Sequence, residues 1–186
     1  MITLAIDTST ARGSVAVLDA DRVVGEETFE RDGIFDAIGR LQPGNFDLIL
    51  VGVGPGSFTG IRAGLAAAKG LALPRAVPIR AVSSFDALAL TALPAWPAEY
   101  RQMGVHADAR RGEIYFALYD RAGQPLSRCR IGTREALTGE LRVPTWLVSA
   151  PPVYPRAALL ARVAPGGLPL EPIYLRETEY RKLHDR

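Results

Sequence analysis

Cysteine, histidine and lysine are nearly missing from this chain, and each scarcity closes off a class of chemistry. Cys129 is the one cysteine among 186 residues, so an internal disulfide framework is excluded, as suits a reducing compartment. It lies between Arg128 and Arg130, which could lower its pKa, but a packed thiol is the plainer reading. His106 and His184 are the two histidines, far apart in sequence, and no His-x-x-x-His or Cys-x-x-Cys pair occurs. A built zinc or iron site is therefore not expected. No local Ser–His or Cys–His signature marks a catalytic nucleophile. Asp108 stands at strand spacing from His106, a turn acid beside a half-buried histidine. Lysine appears only at 69 and 182, leaving 20 of 22 basic residues as arginine. No uncharged apolar run reaches the ~18 residues of a membrane span. The start, Met-Ile-Thr-Leu-Ala-Ile-Asp, enters a strand without a basic region ahead of it. A soluble cytoplasmic protein without membrane contact is the expectation.

What is abundant is glycine, and one stretch of it organises the chain. Gly52-Val-Gly-Pro-Gly-Ser-Phe-Thr-Gly60 follows the apolar run Phe46–Val51 and precedes the helix-like run Ile61–Leu73. Strand, glycine turn and helix together suggest phosphate binding, but three patterns fail. A Walker loop needs Lys-Ser/Thr after its last glycine, and here Ile61-Arg62 stand there. The dinucleotide fingerprint needs a third glycine where Thr59 stands. A nucleophile elbow needs glycine two residues before Ser57, where Pro55 stands. A tight turn with a good cap, from Ser57 or Thr59, accounts for the residues. In the helix, Gly60, Gly64, Ala67 and Leu71 form one stripe, and Ile61, Leu65, Ala68 and Ala72 a neighbouring one. This is more apolar surface than one side of a sheet needs. The second cover is either another chain or the chain's own helices.

Around this centre the elements read as follows. Ile2–Ile6, Gly13–Leu18 and Val23–Phe29 are strands, and Asp7-Thr-Ser-Thr10 is a turn. Ile34–Leu41 is a helix with Phe35, Ile38 and Leu41 on one face. Ala76–Val82 is a strand whose Pro78 marks an edge or an entry position, and Ser83-Ser-Phe-Asp86 is a capping box for a helix to about Leu93. The Pro-rich Leu93–Ala98 marks a boundary, which gives a first lobe over 1–95 and a second over 96–186. In the second lobe Gln102–His106 and Glu113–Tyr119 flank a turn, and a third strand lies near Leu126–Ile131. A short helix (134–138), a strand (145–149) and a helix (156–163) follow. The tail from Pro165 is expected on the surface, anchored by Pro172–Leu175. Both lobes open with a strand hairpin, a hint of duplication in a mixed α/β architecture. Residues 1–95 carry 8 basic and 10 acidic groups, and 96–186 carry 14 and 10. The second half is mildly basic, and Arg110, Arg111 and Glu113 could meet an anion or a partner, although solvated surface explains them as well.

Five segments carry a resemblance over nearly the whole chain: Ile6-Asp-Thr-Ser-Thr10, Gly54-Pro-Gly-Ser-Phe-Thr-Gly60 with Ile61-Arg62, Ala81-Val-Ser-Ser84 with Leu88, Asp108-Ala-Arg-Arg-Gly-Glu113 with Tyr115, and Pro172-Ile-Tyr-Leu-Arg176. In that order they resemble the TsaB (YeaZ) family. The resemblance implies an actin/Hsp70/sugar-kinase (ASKHA) fold in two related lobes. It implies a non-catalytic, scaffolding subunit of the bacterial machinery that makes N6-threonylcarbamoyladenosine (t6A) beside the anticodon of tRNAs reading ANN codons. The implied partners are the catalytic homologue TsaD, which transfers the threonylcarbamoyl group and holds a metal through His-x-x-x-His, and the TsaE ATPase. A homodimer is implied for the chain alone, and tRNA is met through the complex. No cofactor is expected on this chain itself, with ATP or ADP at the junction with partners. The segment between Phe29 and Phe46, and the tail, are shorter than the family pattern.

Three readings compete. As a scaffold, the chain uses Gly60, Ile61, Gly64, Leu65, Ala68 and Ala72, with Ile34, Ile38 and Leu41, as its pairing surface, and Gly64→Arg should break pairing. As a small kinase or ATPase of the same fold, it uses Asp7 and Thr8 for metal and phosphate, with Gly54, Gly56 and Ser57 lining the cleft. As a direct tRNA-binding module it would need a clustered basic face.

Overall fold

A computed structural model describes residues 1–30 and 33–175. Arg176 of the last resemblance segment, Lys182 and His184 lie outside the described residues.

Two sheets of the same construction make the fold. In the first, β1 (Ile2–Asp7), β2 (Arg12–Asp19) and β3 (Arg22–Glu30) are antiparallel, and β4 (Leu48–Gly52) and β5 (Ile79–Val82) extend it in parallel, giving the order β3-β2-β1-β4-β5. In the second, β6 (Gln102–Arg110), β7 (Glu113–Tyr119) and β8 (Arg130–Thr133) are antiparallel and β9 (Thr145–Ala150) pairs with β6 in parallel, giving β8-β7-β6-β9. The helix α1 (Ile34–Leu41) joins β3 to β4, and α4 (Arg134–Gly139) joins β8 to β9. The first four strands and their helix therefore recur. The repeat also shows in side chains: Asp7 Oδ1 accepts from the amide of Ser9 at 2.9 Å, and Asp108 Oδ1 from the amide of Arg110 at 2.7 Å.

Alternation along the strands sends residues to opposite faces. Leu4, Ile6, Val15, Val17, Ile49 and Val51 meet α1 and the long helix α2 (Phe58–Ala72). Ala5, Ala16, Leu18, Leu50 and Val82 meet Ala87 of α3 (Ser84–Ala92) and a 3-10 helix, Ala157–Arg162. The other side of α3, through Phe85, Leu88, Ala89 and Ala92, packs on Met103, Val105 and Val148 of the second sheet. So α3, contributed by the first half, builds the second core, while the 3-10 helix of the second half covers the first sheet. The interchange is tied by polar contacts. The Ser14 hydroxyl donates to Pro155 O (3.1 Å) and accepts from Ala157 N (2.8 Å), and Arg156 Nε donates to Glu26 at 2.9 Å.

Several expectations shift. β6 continues to Arg110, so the expected turn over 107–112 shrinks to Arg111-Gly112. The third strand of the second sheet starts only at Arg130, and 157–162 is 3-10 rather than α-helical. On α1 the buried residues are Ile34, Ala37 and Ile38, whereas Phe35 is 60% exposed. The tail is held as expected: Ile173 N donates to Val53 O at 2.9 Å and its side chain joins the first core.

Candidate functional site: a filled cleft and an open helical face

The glycines after β4 touch protein. Ser57, not Thr59, caps α2, accepting from Gly60 N at 3.3 Å. Gly54 takes φ +95°, where a side chain is strained, and is held from both sides by Ser84, whose Oγ accepts from Gly54 N at 3.1 Å and whose N donates to Gly54 O at 2.8 Å. A Cβ at Gly56 would lie 2.2 Å from Ser9 O, at Gly60 2.1 Å from Thr8 O, and at Gly64 2.3 Å from Thr8 Oγ1. Two hydrogen bonds lock the contact: Ser57 N to Ser9 O at 2.6 Å and Thr8 Oγ1 to Gly60 O at 2.7 Å. The β1–β2 turn is thus pressed against α2.

Asp7 lies beneath that turn, 1% exposed. Its Oδ1 accepts from the amide and, at 2.7 Å, the hydroxyl of Ser9. Its Oδ2 is buried without a hydrogen bond of good geometry, beside the Ser84 hydroxyl and so close to Gly52 that a Cβ there would sit 2.0 Å away. Burial pushes the Asp7 carboxyl up from the ordinary aspartate value, and bonds from Ser84 and Ser9 draw it part of the way back. The Asp7 carboxylate has no open side for a metal, whereas Thr8, Ser57 and Gly60 reach the edge of an open groove. The cleft residues Asp7, Thr8, Gly54, Gly56 and Ser57 are thus brought into one region, linked through Ser9, Ser84 and Gly60.

A pH-dependent stability follows from this burial. A carboxyl whose pKa is raised on folding binds its proton more tightly in the native state. Stability then falls as pH rises from the unfolded value, 3.8, through the folded one, and is level above. Asp7→Asn keeps the acceptor for Ser9 N and removes this fall. Its Tm should match or exceed the parent's at pH 7, with the advantage shrinking towards pH 4. Asp7→Ala, which strands the Ser9 and Ser84 groups, should cost about 2–4 kcal/mol. A difference between Asp7→Asn and parent that does not change with pH would refute the raised pKa.

The pairing surface expected on α2 needs correction. Ile61, Leu65, Ala68 and Ala72 are buried in the chain's own first core, together with Ile34 and Ile38 of α1, and Leu41 packs partly against it. Gly64 is buried against Thr8, and Gly60 is half-buried there. The sheet and the β1–β2 turn use both stripes. What stays open is the third side of α2: Thr59, Arg62, Ala63, Ala66, Lys69 and Gly70. Ala63, Ala66 and Gly70, with Phe35 of α1, line a groove of about 1260 Å³ that runs on to Thr8 and Ser57 at the β1–β2 turn. At the start of α2, Phe58 is 49% exposed, with the Arg62 guanidinium 5.2 Å above its ring and Tyr174 at 5.9 Å. Nothing in the sequence pattern singles out this aromatic–arginine cluster, because its members come from α2 and the distant tail.

The remaining candidates do not assemble into a catalytic set. His106 is buried and its pKa falls to about 4, through desolvation and then the neighbouring Arg134 charge, so it is neutral at physiological pH. Burial pushes the Cys129 thiol up to about 12, against the lowering its arginine neighbours suggest. Tyr119 donates to Asp86 at 2.7 Å across the junction of α3 and β7. Among the described residues no three His, Cys, Asp or Glu side chains gather to hold a metal, and no helix is long and apolar enough to cross a membrane.

Duplicated mixed sheets with a helix layer between them define an α/β protein of the ASKHA class, one whose β1–β2 turn is packed against its own glycine-bearing helix. The comparisons agree. Residues 36–137, more than half of the chain, match the family model described as TsaD, tRNA N6-adenosine threonylcarbamoyltransferase. The tRNA threonylcarbamoyladenosine biosynthesis protein TsaB of Bacillus subtilis is 35% identical over 138 residues, 64% of this chain and 55% of that protein. An uncharacterized protein of Mycobacterium leprae is 30% identical across 98% of this chain and 56% of its own length. The structure of YeaZ from Pseudomonas aeruginosa superposes with a TM-score of 0.72 at 22% identity, covering 94% of this chain and 99% of that one. The chain spans about half the length of the curated relatives it matches. It belongs to the TsaB (YeaZ) family, within the wider group that the TsaD model describes.

Proposed function

We propose that this chain is a non-catalytic subunit in the synthesis of t6A on tRNA, pairing through the open side of α2 and the adjoining edge of α1 with the TsaD protein of its own cell. TsaD would then carry the threonylcarbamoyl transfer beside the anticodon of tRNAs reading ANN codons. The reading includes the TsaE ATPase as a further partner, a homodimer through the same face when TsaD is absent, and a cytoplasmic location. It places any ATP or ADP at the junction between subunits. The single observation that carries it is the pairing of a filled cleft with an unfilled helical face. Asp7 is enclosed against Gly52 and Ser9, and Thr8 is pressed on Gly60 and Gly64, while Ala63, Ala66 and Gly70 stand open in the groove beside them. Small residues in a row let a second helix approach closely. The names of the TsaB relatives supply the process.

Size-exclusion chromatography with light scattering tests this, on the chain alone and mixed with TsaD from the same genome. The expected result is a single mixed species of one chain each, with any homodimer displaced. A chain that ignores TsaD at micromolar concentration would overturn the reading. ATP turnover by the isolated chain, abolished by Asp7→Ala, would instead favour the kinase-like alternative.

A further inference from the structure

The two halves of the fold meet along α3, and beside that helix they leave a second cavity, of about 730 Å³. It shares no lining residue with the groove on α2. One wall is the end of β5 and the start of α3, through Val82, Ser83 and Asp86. The facing wall is β7 and the loop after it, through Ala117, Tyr119 and Cys129. The tail closes a third side with Leu168 and Ile173, whose amide is held by Val53 O. A cavity of this size, between two layers and at the carboxyl end of a parallel strand, is where α/β proteins take small ligands.

Most of this lining is apolar, and its polar groups converge on one carboxylate. Asp86 stands at the acid position of the α3 capping box, and its amide donates to Ser83 Oγ at 3.2 Å. Its side chain turns to the facing wall, where Oδ1 accepts from the Tyr119 hydroxyl at 2.7 Å. That bond leaves acceptor sites over, since an ionised carboxylate has about four. Among the described residues no basic side chain lies within ion-pair distance of it. Arg128 is exposed at the mouth and makes no such pair. Burial raises the Asp86 pKa above the ordinary aspartate value, and the Tyr119 and Ser83 hydroxyls draw it only part of the way back. Beyond burial, the Asp86 charge also pushes the Tyr119 phenol and the Cys129 thiol up. These are the marks of a carboxylate short of a countercharge.

We infer that this cavity binds a small organic cation, a primary amine on an apolar body, with its ammonium on Asp86 and its body against Val82, Ala117, Leu168 and Ile173. An anionic ligand would set like charge against Asp86, and a neutral apolar one would leave the carboxylate unpaired. A bare metal ion would need more oxygen ligands than this one acid supplies. The inference goes beyond pairing with TsaD and does not depend on it.

The test is titration of the full chain with phenethylamine, and with phenethyl alcohol as its uncharged match, followed by amide chemical shifts. The amine should move the amides of Ser83, Asp86, Tyr119 and Cys129 and leave those of Ala63, Ala66 and Gly70 in place. It should bind at least about tenfold more tightly than the alcohol, the difference between a charged and a neutral donor. Asp86→Asn keeps an acceptor for Tyr119 and removes the charge, so the amine should fall to the affinity of the alcohol. Ala164→Phe, at an exposed residue on the rim, should weaken both ligands and leave the core alone. The inference is overturned if the parent shows no shifts at the cavity, if amine and alcohol bind alike, or if Asp86→Asn keeps the preference. Should Asp86→Asn fail to fold, Ala164→Phe decides, and undiminished binding of the amine to that variant overturns the site.

Discussion

Gly60→Ala should destabilise the chain by about 3 kcal/mol or more, one of the largest effects available to a single methyl group here. The added Cβ would stand 2.1 Å from the carbonyl oxygen of Thr8, a backbone atom. That carbonyl cannot drift away. Its turn is pinned by Asp7 to Ser9 and by Ser9 O to Ser57 N at 2.6 Å, and Thr8 Oγ1 is itself bonded to Gly60 O. Relieving the clash therefore means lifting α2 off the first sheet, where Ile61, Leu65 and Ala68 are buried. Gly70 in the same helix supplies the control. A Cβ there meets nothing within 4 Å, so Gly70→Ala should stabilise by about 0.5–1 kcal/mol through backbone entropy alone. Urea denaturation of the two variants checks both signs. A Gly60→Ala loss below about 1 kcal/mol would mean that the turn yields and that the cleft is less tightly filled than its geometry indicates.

The elements were legible where periodicity and punctuation agreed. Ile34–Leu41 and Glu113–Tyr119 run over the residues their patterns predict, and Ser83 caps α3 as its Ser-x-x-Asp spacing indicates. Boundaries failed where a charged residue lies in a strand: Asp108 and Arg110 read as turn, yet they still pair with Ile114 and Glu113 in the hairpin. The side of α1 was misjudged for a simple reason. In two turns of helix, Ile34-Ala37-Ile38 and Phe35-Ile38-Leu41 are both acceptable apolar faces, and only the sheet beneath selects the first. The same limit governs α2. Apart from Arg62 and Lys69, its run from Ile61 to Ala72 is all alanine, glycine, leucine and isoleucine. An apolar surplus is visible in such a helix, but not which side holds it. The structure shows that Ile61 and Leu65 face inward with Gly64, Ala67, Ala68 and Ala72, and that Ala63, Ala66 and Gly70 are left outside with Arg62 and Lys69. Likewise the importance of Gly54 to Gly64 is readable, but not its cause, since contacts with Thr8 and Ser9 are made across about fifty residues of chain. Gly64→Arg, the substitution that the sequence recommends against pairing, would break the fold first.

Ala66→Arg tests pairing without that confusion, and it should lower affinity for TsaD at least about 100-fold, or roughly 2.7 kcal/mol. Ala66 is exposed on α2 and lines the groove towards α1. In the isolated chain an arginine there extends into solvent, and its helix propensity is close to that of alanine, so the Tm should move little. In the paired state the same side chain would be driven between two helices whose approach depends on small residues, and its charge would lose water without a prepared partner. The two states thus respond oppositely to one substitution, which is what separates an interface residue from a core residue. Leu147→Arg is the matched control, placing the same charge at a residue 37% exposed on the second sheet, away from the groove, and it should leave pairing intact. If Ala66→Arg binds TsaD like the parent, the α1–α2 groove is not the interface, and the Phe58–Arg62–Tyr174 cluster at the start of α2 becomes the surface to substitute next. If both variants lose binding, the effect is one of net charge rather than of contact, and the salt dependence of the parent complex would have to be steep to match.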